Sequence, residues 1–291
     1  MLILVGDNPF HGVSHLSQER ARVRDDTVTT PEYATHLVMI SLENGADGFM
    51  FSVSETTLSI LRIIHKKGKS GHLRLYAITP SAYEYVRLSG QTGISGLAKK
   101  LAKQMITSGN VSAVISCLKG VMQTDPASLM KVFLSREVSR IKTSAGKQAE
   151  SVFLHEIVTD MGLALDLQWL FSLYIDFMLG LGIKPGFETR NFVYLVNKFR
   201  EWKINFHEIM IATPFNKVGF QMSPSRVECE QALASLPEPN VIAISILAAG
   251  YLNLPEAAKY IKSVPNLNGV AVGVSKERHA HETFKFLKER L

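Results

Sequence analysis

Residues 48–68 read GFMFSVSETTLSILRIIHKKG and contain one complete unit of strand followed by helix. The run Gly48–Val53 is short and almost uniformly apolar, which is typical of a strand buried on both faces. The stretch Thr56–Lys67 repeats apolar residues at helical spacing, and Gly68 stops it. A buried strand that leads into an amphipathic helix is the repeating unit of α/β folds. This stretch therefore predicts a parallel sheet covered by helices.

The same unit recurs along the whole chain. The other predicted strands are Leu2–Val5, Leu73–Thr79, Ser151–Ile157, Lys184–Thr189, Ile209–Thr213, Val241–Ile246 and Val270–Val274. The other predicted helices include Pro31–Asn44, Asn191–Trp202, Ser223–Leu236 and Lys276–Leu291. Together with Gly48–Val53 these make eight strands. Eight parallel strands joined by right-handed crossovers close naturally into an α/β fold of the (β/α)8 TIM-barrel type. An open doubly wound sheet is the alternative, but Gly6-Asp7-Asn8-Pro9 stands where that fold carries GxGxxG.

The domain organisation follows from the spacing of the strands. We expect a single barrel domain over residues 1–291, with a helical insertion at 81–147 between the third and fourth strands. Val111–Leu118 has the composition of a further strand, but its apolar residues fall at helical spacing, which favours a helix. Gly162–Leu181 is a long apolar helix by the same criterion, and it packs on the barrel or forms a contact in a homo-oligomer.

Composition excludes several classes of protein. The hydrophobic fraction of 46% provides a large core, and the net charge of +6 includes no basic run typical of nucleic-acid binding. The two cysteines, Cys117 and Cys229, are far apart, which excludes a thiolate zinc site and is typical of a cytoplasmic protein. No apolar run approaches the roughly 18 residues of a membrane span, and the start of the chain lacks a signal-peptide pattern. We therefore expect a soluble cytoplasmic protein that binds neither nucleic acid nor membrane.

The part of the chain after residue 150 resembles the aldo/keto reductase superfamily. Val272–Ser275 with Glu277 and Arg278 resembles the eighth strand of that family and the cofactor-phosphate-binding start of its next helix. Residues 244–252, ISILAAGYL, resemble the seventh strand, which runs YSPLxxGxL in the family. Val152–His155, Gly186–Asn191 and Pro214–Asn216 resemble the fourth, fifth and sixth strands, the fourth ending in the catalytic histidine. The resemblance implies a barrel, with NAD(P) as a candidate cofactor.

The chain departs from that family where the reductase chemistry lies. Family members carry Asp and Tyr after the second strand and Lys at the end of the third. Here neither the aspartate nor the tyrosine follows Gly48–Val53, and the third strand ends in Ile78-Thr79-Pro80 without a lysine. The family protonates the carbonyl through a tyrosine whose pKa the lysine lowers. Because His155 alone cannot replace that relay, we expect the scaffold without the reductase chemistry.

Polar residues at the predicted strand ends are the candidate catalytic residues, because barrel active sites lie there. The candidate catalytic residues are His155, Glu156, Glu188 and Asp7, and the candidate substrate-binding residues are Asn8, His11, Arg190, Asn191 and Asn216. Only one of His155 and Glu156 can face the barrel axis, unless the strand ends there. Carboxylates crowded at the mouth repel, so one should have a raised pKa or a divalent metal should lie between them. We favour proton transfer. The structural alternatives are a hydrogen bond from His155 to a loop carbonyl, ion pairs for Glu156 and Glu188, and a turn at Asp7.

The final helix predicts an anion site. Free backbone N–H groups and the positive end of a helix dipole attract phosphate, and the Gly273-Val274-Ser275 turn opens this helix. The candidate phosphate-binding residues are Gly250, Gly273, Ser275, Lys276 and Arg278. Glycine also occurs at such positions simply because it lets the strand turn.

Three functions remain open at this point. The first is a barrel enzyme, of lyase or isomerase type, that acts on a small anionic metabolite, phosphorylated or carboxylated, by acid/base or metal-assisted chemistry. The second is a diverged NAD(P)-dependent oxidoreductase, and the third is a non-catalytic binding protein on a barrel scaffold. The missing tyrosine and lysine favour the first over the second, and the acids at the strand ends disfavour the third. The cofactor, a divalent metal or NAD(P), stays undecided.

Overall fold

The computed structural model describes residues 1–11, 26–80 and 126–291, and it contains a closed barrel of parallel strands. The strands are β1 Leu2–Gly6, β2 Gly48–Ser52, β3 Arg74–Thr79, β4 Ser151–Leu154, β5 Lys184–Glu188, β6 Met210–Pro214, β7 Val241–Ile244 and β8 Leu267–Gly273. They pair in chain order, and Gly6 of β1 closes the barrel by aligning with Gly273 of β8. The predicted (β/α)8 barrel is confirmed.

Helices cover the outside of the barrel. They are α1 Pro31–Glu43, α2 Glu55–Lys66, α3 Pro126–Ala145, α4 Glu156–Ala164, α5 Gln168–Gly180, α6 Phe192–Glu201, α7 Arg226–Ala234, α8 Leu254–Ser263 and α9 Glu277–Arg290. Short 3-10 turns lie at Asn8–His11, Asp26–Thr29 and Ala248–Gly250. Within the described ranges, no helix combines the length and the apolar character that crossing a membrane requires.

The barrel is filled by its own side chains up to the level of the mouth. Side chains alternate along each strand between the barrel interior and the helical layer. The interior cluster consists of Leu4, Met50, Tyr76, Ile78, Phe153, Met210, Ala212 and Ile242. A Cβ at Gly186 would lie 2.5 Å from the Phe153 ring. Any larger residue at position 186 would therefore clash with this ring. This packed cluster closes the barrel interior below the end where the strands finish.

The fourth strand is shorter than predicted. The sequence predicts Ser151–Ile157, but β4 ends at Leu154 and α4 begins at Glu156. His155 is the N-cap of α4, and its Nδ1 accepts the backbone N–H of Ile157 at 3.2 Å. The carbonyl of His155 also accepts a helical hydrogen bond from Thr159 at 3.1 Å. The prediction that His155 and Glu156 lie in a strand is wrong. The N–H of His155 still donates to the carbonyl of Thr79 in β3 at 2.9 Å, but its own carbonyl and side chain already accept the first hydrogen bonds of α4.

Two helices differ from their predicted limits. The predicted helix Gly162–Leu181 is broken between α4 and α5, because Asp166 has a left-handed backbone with φ 56°. The predicted helix Ser223–Leu236 begins only at Arg226, because Ser225 Oγ accepts the N–H of Glu228 at 3.2 Å and caps it there. Sequence analysis did not identify α8, although Asn253 and Glu256 form a capping box at its start.

The segment between β3 and β4 is described only in part. α3 lies within the predicted helical insertion at 81–147. Residues 81–125, which include the predicted helix Val111–Leu118, lie outside the described residues.

A buried hydroxyl joins α5 to the barrel. Tyr174 is fully buried, and its Oη donates a hydrogen bond to the carbonyl of Val152 in β4. We expect Tyr174→Phe to lower the free energy of unfolding by about 1 kcal/mol, because the ring stays in place and one buried hydrogen bond is lost. Urea denaturation measures this difference. The matched control is Tyr251→Phe, at a residue that is 80% exposed, which should leave stability unchanged. Equal stability of wild type and Tyr174→Phe would contradict the prediction.

Candidate active site

A cavity of about 370 Å³ opens at the carboxyl ends of the strands. Its floor is apolar and includes Met50, Ile78, Ile244 and Ala271. The polar side chains in its wall belong to Asp7, Asn8, Glu188, Arg190, Ser245, Ser275, His279 and Thr283. Enzymes of this architecture bind their substrates at this end of the barrel. The cavity is therefore the candidate active site.

Glu188 is the buried acid of the cavity wall. It ends β5 two residues after Gly186, so its side chain points into the barrel, and the residue is only 9% exposed. Burial raises the pKa of Glu188 to about 7, and the negative charges of Glu156 and Asp7 act in the same direction. The Arg190 cation and the N–H of Glu156, 3.4 Å from Oε2, oppose this shift. A carboxyl group with this pKa can both accept and donate a proton at neutral pH.

Arg190 contacts the start of α4 and the loops after β6 and β7 at the mouth of the barrel. Its Nε donates to Glu156 Oε2 in an ion pair, and its Nη1 donates to Gln221 Oε1 at 2.7 Å. Nη1 also lies 3.5 Å from Ser245 Oγ at the end of β7. Among the residues that the structure describes, none forms a hydrogen bond with Nη2. The guanidinium group therefore keeps one nitrogen for a ligand in the cavity that it lines with Glu188.

Asp7 holds the first loop against the second strand. Its Oδ2 accepts the N–H of Ser52 at 2.6 Å and lies 2.9 Å from Nε2 of His11. Burial lowers the pKa of His11, but the hydrogen bond and the charge of Asp7 outweigh burial, so the pKa is raised overall. Asn8 lines the cavity beside Asp7, whereas His11 lies outside its wall. His11 therefore contacts Asp7 without lining the cavity.

His155 and Glu156 both lie outside the cavity wall. Burial lowers the pKa of His155; the charges of Glu156 and Asp7 oppose this, and the Arg190 cation reinforces it. The ring is therefore neutral near pH 7, with its proton on Nε2, because Nδ1 accepts the N–H of Ile157. Glu156 pairs with Arg190, which lines the cavity, whereas His155 caps α4.

Two candidate substrate-binding residues are held in contacts that support loops. Asn191 Nδ2 donates to Asp160 Oδ2 at 3.0 Å, and the same oxygen accepts the N–H of Arg190. Asn216 is fully buried, and its side-chain amide exchanges two hydrogen bonds with the backbone of Phe220, at 2.9 and 2.8 Å. Neither amide lines the cavity, so we do not include them in the proposed substrate site.

The loop after β7 forms one side of the cavity in an unusual backbone conformation. Ala248, Ala249 and Gly250 have φ angles of 47°, 57° and 87°, and all three line the cavity. Left-handed residues that carry a Cβ cost about 1–3 kcal/mol each and cluster at functional sites. The surrounding structure therefore imposes this conformation on the two alanines.

The loop after β8 completes the wall. A Cβ at Gly273 would lie 2.7 Å from Cδ of Pro9, so glycine allows the first and last loops to meet. Ser275 lines the cavity, whereas Lys276 and Arg278 do not. Lys276 is the N-cap residue of α9, and Arg278 pairs with Glu282 at 2.8 Å on the exposed face of that helix. Of the predicted phosphate-binding residues, Gly250, Gly273 and Ser275 therefore meet at the cavity.

Sequence analysis missed the face of α9 that reaches the cavity. His279 and Thr283 line the cavity together with Ser275. The signal was present for His279 and Thr283, because they are spaced four apart within the predicted helix and so share one of its sides.

The groups that line the cavity limit the chemistry that the site can perform. Neither tyrosine nor lysine occurs among the described residues that line the cavity. No group of three or more His, Cys, Asp or Glu in the described ranges is placed to hold a metal ion. The groups in the wall comprise a carboxyl of raised pKa, a guanidinium and the loop before a helix N-terminus. Together they suit proton transfer on an anionic molecule.

Comparisons with known proteins agree on the architecture. No protein-family model matches the chain, and no curated protein matches it. Two solved structures from Pseudomonas aeruginosa, each described as a "putative aldo-keto reductase", are similar in fold. The first has a TM-score of 0.60 at 10% identity over 99% of this chain and 90% of that one. The second has a TM-score of 0.62 at 11% identity over 99% of this chain and 89% of that one. The chain therefore has an aldo-keto reductase-like barrel fold.

Proposed function

We propose that the protein is an enzyme that moves a proton on a small anionic metabolite bound at the barrel mouth. The observation that carries this proposal is Glu188, which is buried in the cavity wall beside Arg190 and whose pKa is raised to about 7. A general acid/base works best when its pKa is close to the working pH. The cavity of about 370 Å³ suits a small metabolite, since ligand pockets range from about 300 to 1,000 Å³.

The roles of the side chains follow from their places. Arg190 binds a carboxylate or phosphate of the metabolite through Nη2, the nitrogen that the described residues leave open. The Glu188 carboxylate takes a proton from a carbon next to a carbonyl or carboxylate group. The electron pair of the broken C–H bond forms a C=C bond, and the π pair of the neighbouring C=O bond moves onto its oxygen, where Arg190 stabilises the charge. Return of the proton to another carbon gives an isomerase, and departure of a leaving group gives a lyase.

A second anionic group has a place at the opposite wall. The first turn of α9 and the left-handed loop at Ala248–Gly250 both border the cavity. A helix N-terminus attracts phosphate through its free N–H groups and its dipole. The proposed substrates therefore include phosphate esters that also carry a carboxylate or a carbonyl group.

Phosphate should stabilise the protein against heat. At phosphate concentrations of about ten times Kd, we expect the melting temperature to rise by about 3 °C relative to sodium chloride of equal ionic strength. The double variant Lys276→Glu with Arg278→Glu should lose most of this shift, because it adds negative charge around the α9 N-terminus. Lys259→Glu with Lys262→Glu makes the same charge change on the exposed face of α8 and should keep the shift. Equal shifts in both double variants would contradict the site.

Hydrogen exchange in D₂O tests the reaction itself. The protein is incubated with a panel of small keto acids, hydroxy acids and phosphate esters, and loss of carbon-bound proton signals is followed by NMR. The proposal expects catalysed exchange at a carbon next to a carbonyl or carboxylate in at least one compound. Binding without exchange across the panel would favour a non-catalytic binding protein. NADPH-dependent turnover of aldehydes without exchange would favour the oxidoreductase.

A further inference from the structure

The helix α4 has two apolar faces. One face, with Gly162 and Leu163, is buried against the rest of the protein. Ile157, Met161 and Leu165 follow one another at intervals of four residues, and they are 51%, 58% and 63% exposed. A surface helix needs only one apolar face to pack on its own core. A second apolar stripe of this length indicates a contact with another molecule.

The stripe continues onto the neighbouring helices. Trp169, the second residue of α5, lies four residues after Leu165 and is 47% exposed. Tyr194 of α6 is 45% exposed, and its Oη donates to the carbonyl of Leu163 at 3.4 Å, which places the ring beside the end of α4. We call Ile157, Met161, Leu165, Trp169 and Tyr194 the α4 apolar surface.

We infer that a second copy of this chain covers the α4 apolar surface in a two-fold homodimer. A ridge of side chains spaced four apart fits into the grooves of an identical ridge, so the surface can pack against itself. Half-exposed side chains of this size offer about 600 Å² per copy, and a pair would bury about 1,200 Å², which reaches the lower limit of stable interfaces.

The rim of this surface supports self-association. Lys198 lies one turn after Tyr194, and its Nζ is 2.7 Å from Asp166 Oδ1 and 3.1 Å from Glu201 Oε2. Asp166 directly follows Leu165 in the chain. A rim that carries both signs of charge avoids like-charge repulsion when two identical surfaces meet. An apolar centre with a mixed-charge rim is the usual composition of a protein interface.

The oligomeric state of the purified full chain tests the inference. Sedimentation velocity at roughly 1 to 100 μM should show a dimer whose population falls on dilution. Met161→Glu should raise the dissociation constant at least about 30-fold, because the two-fold axis brings a charge from each copy into an apolar contact. Val227→Glu, at a 52% exposed residue of α7, should leave it unchanged. A monomeric wild type, or a Met161→Glu dimer of unchanged affinity, would overturn the inference.

Cross-linking gives a second measurement that does not depend on a charged variant. Met161→Cys should form a covalent dimer with a short bismaleimide, since its thiol would lie near the two-fold contact. Val227→Cys provides the matched control, and Cys229 is buried. Cross-linking of Met161→Cys at the level of Val227→Cys and wild type would place the contact elsewhere and reject the inferred surface.

Discussion

Glu188→Gln is expected to reduce the rate of proton exchange at least about 100-fold, since a positioned acid/base contributes about 10²–10⁴-fold. The amide has nearly the same shape as the carboxyl group, and its oxygen can still accept the N–H of Glu156. The variant should therefore keep its affinity for the metabolite and lose only the proton transfer. Unchanged affinity with a lower exchange rate would show that the Glu188 carboxyl group transfers the proton and is not needed for binding.

The measurement compares exchange rates and ligand affinities of matched variants. Glu208→Gln is the control, because Glu208 is an exposed carboxyl at the opposite end of the barrel. It should exchange protons at the wild-type rate. A wild-type rate in Glu188→Gln would remove Glu188 from the mechanism, and weaker binding with an unchanged maximal rate would assign it to substrate binding instead.

Glu188 should also make the stability of the fold depend on pH. Its pKa is raised from 4.5 to about 7 by burial in the folded protein, so the folded state holds the proton more tightly than the unfolded chain does. The contribution of Glu188 to the free energy of unfolding is therefore highest below pH 4.5 and falls as the pH rises toward 7. One pKa unit corresponds to 1.36 kcal/mol, so this group should contribute a loss of about 3 kcal/mol across that window.

Glu188→Gln isolates this contribution from the other titrating groups. Wild type and variant should have similar stability near pH 4, and at pH 8 the variant should be more stable by about 3 kcal/mol. Urea denaturation at both values of pH measures the difference, and Glu208→Gln should follow the wild type. If the difference in free energy of unfolding between variant and wild type were the same at both pH values, Glu188 would not have a raised pKa.

The barrel could be predicted because its signal is local. Each strand is a short apolar run followed by a helix, and that alternation is readable in residues 48–68 without any long-range contact. The same logic placed Asp7, Glu188 and Arg190 at strand ends. It failed at His155, because the hydrogen bonds that begin α4 there, from the N–H groups of Ile157 and Thr159, leave no signal in the apolar pattern of the strand.

The sequence by itself thus determined the architecture and the end of the barrel that carries polar groups. Only the tertiary structure decided how those groups are partnered. Asp7 accepts the N–H of Ser52, 45 residues away, and Arg190 reaches Ser245, 55 residues away. Closure of the barrel brings these residues together, and it also takes Glu188 out of water. The raised pKa of Glu188 follows from that burial, so it belongs to the assembled mouth and cannot be predicted from any single strand.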